Sequence, residues 1–248
     1  MPDKLNHTKG IVLRTVKYGE TSVIVSIFTE VFGVQSYLIN GVRTATGKGS
    51  GRANLFQPSA ILEMIVYHNE LKQLQRIREF KWAYLYQHIL SDVKKNAVAM
   101  FMIELLTRCL KQPEANADLY NFAEDAFLRL DGSSNAVTAN FPLFFALHLP
   151  VFFGLRIHDN YSEGRPILDL QEGCFVREHP SHPYFLEERQ AFITSQILKV
   201  QQPGELEDIK LNHDFRRQLL FTYETYYKLH IQDFGTLRTL PVLKEILN

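Results

Sequence analysis

Four glycines and three cations share one short stretch, INGVRTATGKGSGRANLFQP. Gly41, Gly47, Gly49 and Gly51 stand among Arg43, Lys48 and Arg52, and no carboxylate interrupts them. Backbone free to approach a ligand, next to fixed positive charge, is the material of an anion site. One version is the nucleotide P-loop, which needs a glycine, four residues, then Gly-Lys-Ser/Thr. Here five residues separate Gly41 from Gly47, and Lys48 is followed by Gly49. The spacing is wrong and the magnesium-binding hydroxyl is missing, so nucleotide hydrolysis is excluded. The second version is a clamp on nucleic-acid phosphates, which needs cations and close backbone approach but no fixed spacing. Arg14 and Lys17 on a preceding strand, with Lys72, Arg76 and Arg78 on a following one, would extend such a track. A solvated loop with ordinary surface charge explains the same residues, and the pattern alone leaves both readings open.

Other chemistry has weaker support. His158, Asp169, Cys174, His179 and His182 fall in one segment, but no CxxC or HxxxH pair accompanies them. Structural zinc sites are built from such pairs, so no metal site is assigned. The expectation is a polar surface loop whose histidines face water. Glu187, Glu188, Glu205, Glu207 and Asp208 read as charge on helix surfaces, and no Gly-x-Ser-x-Gly elbow occurs. Cys109 lies on an apolar helical face and reads as core. No catalytic residue is assigned, and no cofactor. Tyr18, Phe28, Phe32, Tyr37 and Phe56 are candidates for base stacking, with barrel core the expected place for most of them.

The elements that must hold these residues follow from periodicity. TKGIVLRTVK (8–17), TSVIVSIFT (21–29), VQSYLIN (34–40) and SAILEMIVY (59–67) are β-branched or alternating runs with short turns between the first three, which predicts an antiparallel meander. LKQLQRIREF (71–80) adds a fifth strand. Five strands with a long third connection suit a small closed barrel. After Phe80 the period becomes 3.6. Helical faces recur at Val98–Cys109, with Pro113 as the stop, and at Leu119–Leu130 before Asp131-Gly132. They return near Glu187–Val200, at Phe215–Ile231 and at Leu240–Leu247. Phe141–Phe153 is nearly all apolar, too short to span a membrane, and reads as a buried helix. Residues 154–183 break the periodicity.

Bulk properties agree with a barrel that carries the charge. The 248 residues are 46% hydrophobic, enough for a packed core, and the 27 Lys/Arg balance the 27 Asp/Glu. Residues 1–80 hold ten Lys/Arg against six Asp/Glu, leaving 17 against 21 for the rest. The positive charge therefore sits in the first third. Two cysteines make no disulfide framework, and the N-terminus has no apolar signal core, so a cytoplasmic protein without a membrane span is expected.

The ordered set of segments resembles the RecO family of bacterial recombination mediators. GIVLRTVKYGETSVIVSIFTEVFG is similar to its first two strands, INGVRTATGKGSGRANLFQPSAILEM to its basic inter-strand loop and the next strand, and ELKQLQRIREF to its fifth. FMIELLTRCL, FFALHLPVFFG and RRQLLFTYETYYKLHIQDFGTLRTLPVL resemble helices of its second domain. The resemblance implies an α+β protein. An N-terminal five-stranded antiparallel OB-fold barrel (residues 1–80) is followed by an α-helical domain (81–248) with an irregular insertion near 154–183. It implies a non-enzymatic mediator that binds single- and double-stranded DNA, anneals strands and helps load RecA. Its implied partners are RecR and the C-terminal tail of single-strand binding protein. The phosphate contacts would fall on Arg14, Lys17, Arg43, Lys48, Arg52 and Lys72. Many members carry a four-cysteine zinc module, but residues 155–183 hold only Cys174. Zinc is therefore not carried over; Leu168, Leu170, Phe175, Val176 and Tyr184 are expected to hold that region as an apolar cluster. Two rival readings are a protein-interaction scaffold with no direct DNA role and a nucleic-acid hydrolase.

Overall fold

The computed structural model describes residues 4–42, 52–111 and 114–247. They divide into two compact units, Met1–Gln87 with Leu110–Leu128, and His88–Cys109 with Arg129–Asn248.

Five strands build the first unit: β1 (Lys4–Tyr18), β2 (Ser22–Thr29), β3 (Gly33–Ile39), β4 (Ile61–His68) and β5 (Leu74–Trp82). They close a barrel in the order β1-β2-β3-β5-β4, the OB-fold order. The seams are antiparallel except β3–β5, which is parallel and pairs Ser36 with Leu74 and Leu38 with Arg76. β1 outruns the expected 8–17 because it serves two neighbours. Lys4–Ile11 pairs with β4 and Gly10–Tyr18 with β2. Gly10 lies where the two ladders overlap. A Cβ there would meet the Ile27 side chain and stand 2.7 Å from Met64 Cε, so the barrel closes over hydrogen at that point. β5 starts at Leu74 rather than Leu71, because residues 69–73 are taken up by a turn that side chains hold in place.

Inward residues alternate as expected. Val12, Val25, Ile27, Tyr37, Leu62, Met64 and Val66 are fully or almost fully buried in one cluster. Burying each such side chain contributes about 1.5–3 kcal/mol. Tyr37 and Phe56 belong to this cluster, while Phe28, next to inward Ile27 on β2, is buried on the opposite face with its ring centroid 5.7 Å from that of Tyr120.

Helices dominate the second unit. α1 (Val93–Cys109) starts at Asp92, whose Oδ1 accepts from the amides of Lys94 and Lys95 at 2.8 and 3.0 Å. It ends at Cys109, before Pro113, which lies outside the described residues. α2 (Ala117–Gly132) has residues 117–128 in the first unit. α3 (Asn135–His148) is capped by Ser134 and runs on as a 3-10 turn through Phe153. This apolar helix is longer than its expected span. Asn135–Phe153 passes the length and composition test for a membrane span, yet 67% of it is buried inside the fold, where it serves as the unit's central core element. α4 (Glu188–Lys199), α5 (His213–His230) and α6 (Thr239–Ile246) complete the unit.

The segment read as irregular is ordered by a small antiparallel sheet. β6 (Ile167–Asp169) lies between β7 (Cys174–Val176) and β8 (Phe185–Leu186). Strands of two or three residues leave no detectable period, so alternation could not reveal them.

Candidate nucleic-acid interface

Ladder register decides which of the predicted cations meet. β1 carries Arg14 opposite Ser26, just past a bulge between Val12 and Arg14, and Lys17 opposite the buried Val23. They are three positions apart on a pleated strand, an odd offset, so Arg14 and Lys17 sit on opposite faces of β1. Both are exposed, and neither has an ion-pair partner among the described residues.

On the outer face Arg14 heads one row of cross-strand neighbours, Arg14–Ser26–Ser36–Leu74, over β1, β2, β3 and β5. A second row runs Val16–Ile24–Leu38–Arg76–Tyr67 and reaches β4. No carboxylate stands in either row. Glu20 and Glu70 lie at turns, and Glu63 and Glu79 stand outside these two rows on β4 and β5. Other barrel cations are already paired: Lys9 Nζ is 3.1 Å from Glu124, Lys81 Nζ 2.9 Å from Glu63, and Arg78 Nε 3.3 Å from Glu79.

Lys72 lies in the β4–β5 turn, not on the fifth strand. With Arg76, Leu38, Tyr67 and Leu74 it lines a depression of about 350 Å³. Gln75, only 3% exposed, shapes this turn. Its Nε2 donates to the carbonyls of Asn69 and Lys72 at 2.8 and 2.5 Å, and its Oε1 accepts from the Asn69 amide at 3.1 Å. Leu71 stands 95% exposed at the tip.

The glycine-rich connection is anchored at both described ends. Val42 and Phe56 are buried in the barrel core, at 3% and 1% exposure. Phe56 belongs to a short 3-10 helix, Arg52–Phe56, and its carbonyl accepts from Thr15 Oγ1. The Ser59 amide donates to Val12 at 2.8 Å. The connection therefore re-enters next to the far half of β1. Arg43 and Lys48 lie outside the described residues, as does the Arg52 side chain.

Tyr18 is 54% exposed at the β1–β2 turn, and Phe32 stacks on His68 at 3.9 Å. The aromatic that sequence reasoning missed is Tyr67. The alternation of ILEMIVYH puts it outward with Glu63 and Ile65, but nothing in that pattern shows Arg76 across the strand.

The candidate metal ligands do other work. Asp169 Oδ1 accepts from the amides of Gln171 and Glu172 at 2.8 and 3.1 Å, and His182 Nε2 lies 3.3 Å from it. His182 is thus half-buried against a carboxylate, contrary to the expectation of histidines facing water. His179 Nε2 is 2.7 Å from Glu187, and burial raises the Cys174 thiol above its ordinary value. Among the described residues no three His, Cys, Asp or Glu side chains form a group that could hold a metal. A four-thiolate zinc module does not fit this segment, which has one thiol and a core of buried Leu168, Leu170 and Phe175. Val176 is partly buried there, and Tyr184 is 38% exposed.

In the helical unit, Leu220, Leu240 and Leu243 floor a groove rimmed by Arg216, Arg217 and Lys244. Burial lowers the Arg216 guanidinium below its ordinary value, and its Nε has no hydrogen-bond partner among the described residues.

Comparison with known proteins covers nearly all of the chain. Residues 1–86 match the family model for the recombination protein O N-terminal region, and residues 90–238 that for its C-terminal region. The chain is 31% identical over 245 residues to the DNA repair protein RecO of Phocaeicola vulgatus, covering 98% of this chain and 100% of the relative. It is 31% identical over 242 residues to DNA repair protein RecO of Christiangramia forsetii, covering 98% and 99%. A Bacteroides fragilis DNA repair protein RecO is 31% identical over 246 residues, covering 98% and 100%.

Proposed function

Because the chain belongs to the RecO family of DNA repair proteins, we propose that it is a non-enzymatic recombination mediator. It binds single- and double-stranded DNA, anneals complementary strands, and assists RecA loading onto strands coated by single-strand binding protein. Residues 1–80 act as the DNA-binding domain and residues 81–248 as the helical, partner-binding domain, in the cytoplasm.

The observation that carries this reading is the pair of carboxylate-free cross-strand rows on the outer face of the barrel, where Arg14 and Arg76 stand among serines, aliphatic side chains and Tyr67. OB-folds take extended strands on this face and on the loops at its edge. Arg14, Lys17, Arg43, Lys48, Arg52 and Lys72 contact phosphates and leave the bases free. Annealing then follows from screening two strands on one cationic surface, which requires neither nucleophile nor metal.

RecR and the acidic, apolar tail of single-strand binding protein are the partners. The groove of the helical unit supports the tail: an apolar floor takes its hydrophobic end, and Arg216, Arg217 and Lys244 meet its carboxylates.

The test is DNA binding and strand annealing by the full chain across a salt series. Log affinity for single strands falls with log salt at about −0.7 per contacted phosphate. Absence of binding at low salt, or binding without salt dependence, overturns the reading in favour of a protein-interaction scaffold.

A further inference from the structure

The depression at the β4–β5 turn has a chemistry of its own. Its walls are Leu38, Leu74 and the half-buried Tyr67, with Arg76 between Leu38 and Tyr67 in the ladder. At about 350 Å³ it lies at the small end of ligand sites. The neutral polar side chain lining it is Gln75. An amide side chain has two N–H donors and one carbonyl oxygen. Here the nitrogen donates to two backbone carbonyls and the oxygen accepts from a backbone amide. Gln75 therefore has no donor left with which to read a base edge. What remains is aromatic and aliphatic surface beside two cations, the Arg76 guanidinium and the Lys72 ammonium at the turn.

We infer that this depression is a nucleobase subsite that does not read sequence. One base of a single strand lies against the Tyr67 ring, Leu38 and Leu74, and Arg76 meets the phosphate beside it. Every base has a π-face, so stacking accepts all four, while Arg76 supplies the charge that an isolated apolar dip would lack. The locked turn keeps the site open before ligand arrives, which reduces the ordering cost of binding. The inference rests on the DNA-binding reading above and deepens it.

The experiment compares two strands with equal phosphate number, an oligothymidylate and the same length of abasic backbone. Binding of the full-length protein is followed by fluorescence anisotropy. Tyr67→Leu, which keeps apolar cover on the strand, lowers oligothymidylate affinity about five- to a hundredfold, the range of one stacked base. It leaves abasic affinity and the salt slope unchanged, and Tyr67→Phe restores binding. Arg76→Ala weakens both strands and reduces the slope by about 0.7. Oligodeoxycytidylate binds within a few-fold of oligothymidylate. Unchanged oligothymidylate affinity in Tyr67→Leu, with the wild type binding normally, overturns the subsite and leaves the DNA-binding reading standing. A wild type that binds neither strand overturns both.

Discussion

Gln75 holds Asn69 by both of its backbone polar groups: Oε1 accepts from the Asn69 amide at 3.1 Å, and Nε2 donates to the Asn69 carbonyl at 2.8 Å. The side-chain amide takes the place of a ladder partner where β4 has ended and β5 has not begun. Lys72 and Leu71 are thereby set on a fixed turn instead of a mobile one.

Removing that clamp tests its weight. Gln75→Leu keeps the volume but removes the acceptor of the Asn69 amide and one of the two donors to the Asn69 carbonyl, the Lys72 amide remaining at 3.0 Å, and should cost about 1–2 kcal/mol in urea unfolding. Amide exchange at residues 69–72 should accelerate with it. An unchanged unfolding midpoint would show that the turn holds itself.

Gly10→Ala should destabilise the barrel by about 1–3 kcal/mol, because the new methyl drives into Ile27 and Met64. Met64 can swing aside, but Ile27 is β-branched and stiff. A thermal melt with no shift would mean that the two ladders part more easily than their packing implies.

Acid should weaken the helical unit in two steps. Burial pushes the His148 imidazole below its usual 6.5, outweighing the Phe144 carbonyl 2.9 Å from Nδ1. Burial would raise the Glu104 carboxyl, but donors from Arg238 and Thr239 and the charge of Arg108 bring it below 4.5. Both folded values are depressed, so the unfolded chain binds more protons and stability is lost as pH falls. The His148 contribution is complete above about pH 6.5 and fades below it; that of Glu104 fades below about pH 4.5. Replacing His148 by Gln should flatten the upper step of the pH–stability profile. Glu104→Ala, which leaves the first amides of α6 without their acceptor, should cost about 1.5–3 kcal/mol at neutral pH.

Charge removal on the barrel should act additively on the salt slope. Arg14→Ala and Lys17→Ala each reduce the single-strand slope by about 0.7 if each neutralises one phosphate. Because the pleat sets them on opposite faces, a strand confined to the outer face will respond to Arg14 alone. Equal responses would require a strand that wraps the end of the barrel.

The groove of the helical unit should bind an acidic peptide with an apolar end. Arg217→Glu or Lys244→Glu is expected to weaken it roughly ten- to a hundredfold in a peptide titration, in line with charge-assisted hydrogen bonds. Indifference to both substitutions would remove the groove from the proposed partner surface.

The sequence by itself determined much of this protein. Period two in TSVIVSIFT and SAILEMIVY marks strands and their inward residues, and the 3.6 period around Phe101 and Leu219 marks helices with a buried side. Those patterns are local, since backbone geometry alone repeats the side-chain direction. The order of the segments also sufficed to place the chain in its family. Only the tertiary structure decided who meets whom. The parallel β3–β5 seam brings Arg76 beside Leu38, and β4 sets Tyr67 on its other side, across gaps in sequence that no period spans. Three strands of two or three residues order a segment that shows no alternation. The pleat sends Arg14 and Lys17 to different faces, although charge counting grouped them. Neighbours in a sheet are fixed by register, a non-local property set by how the whole barrel closes.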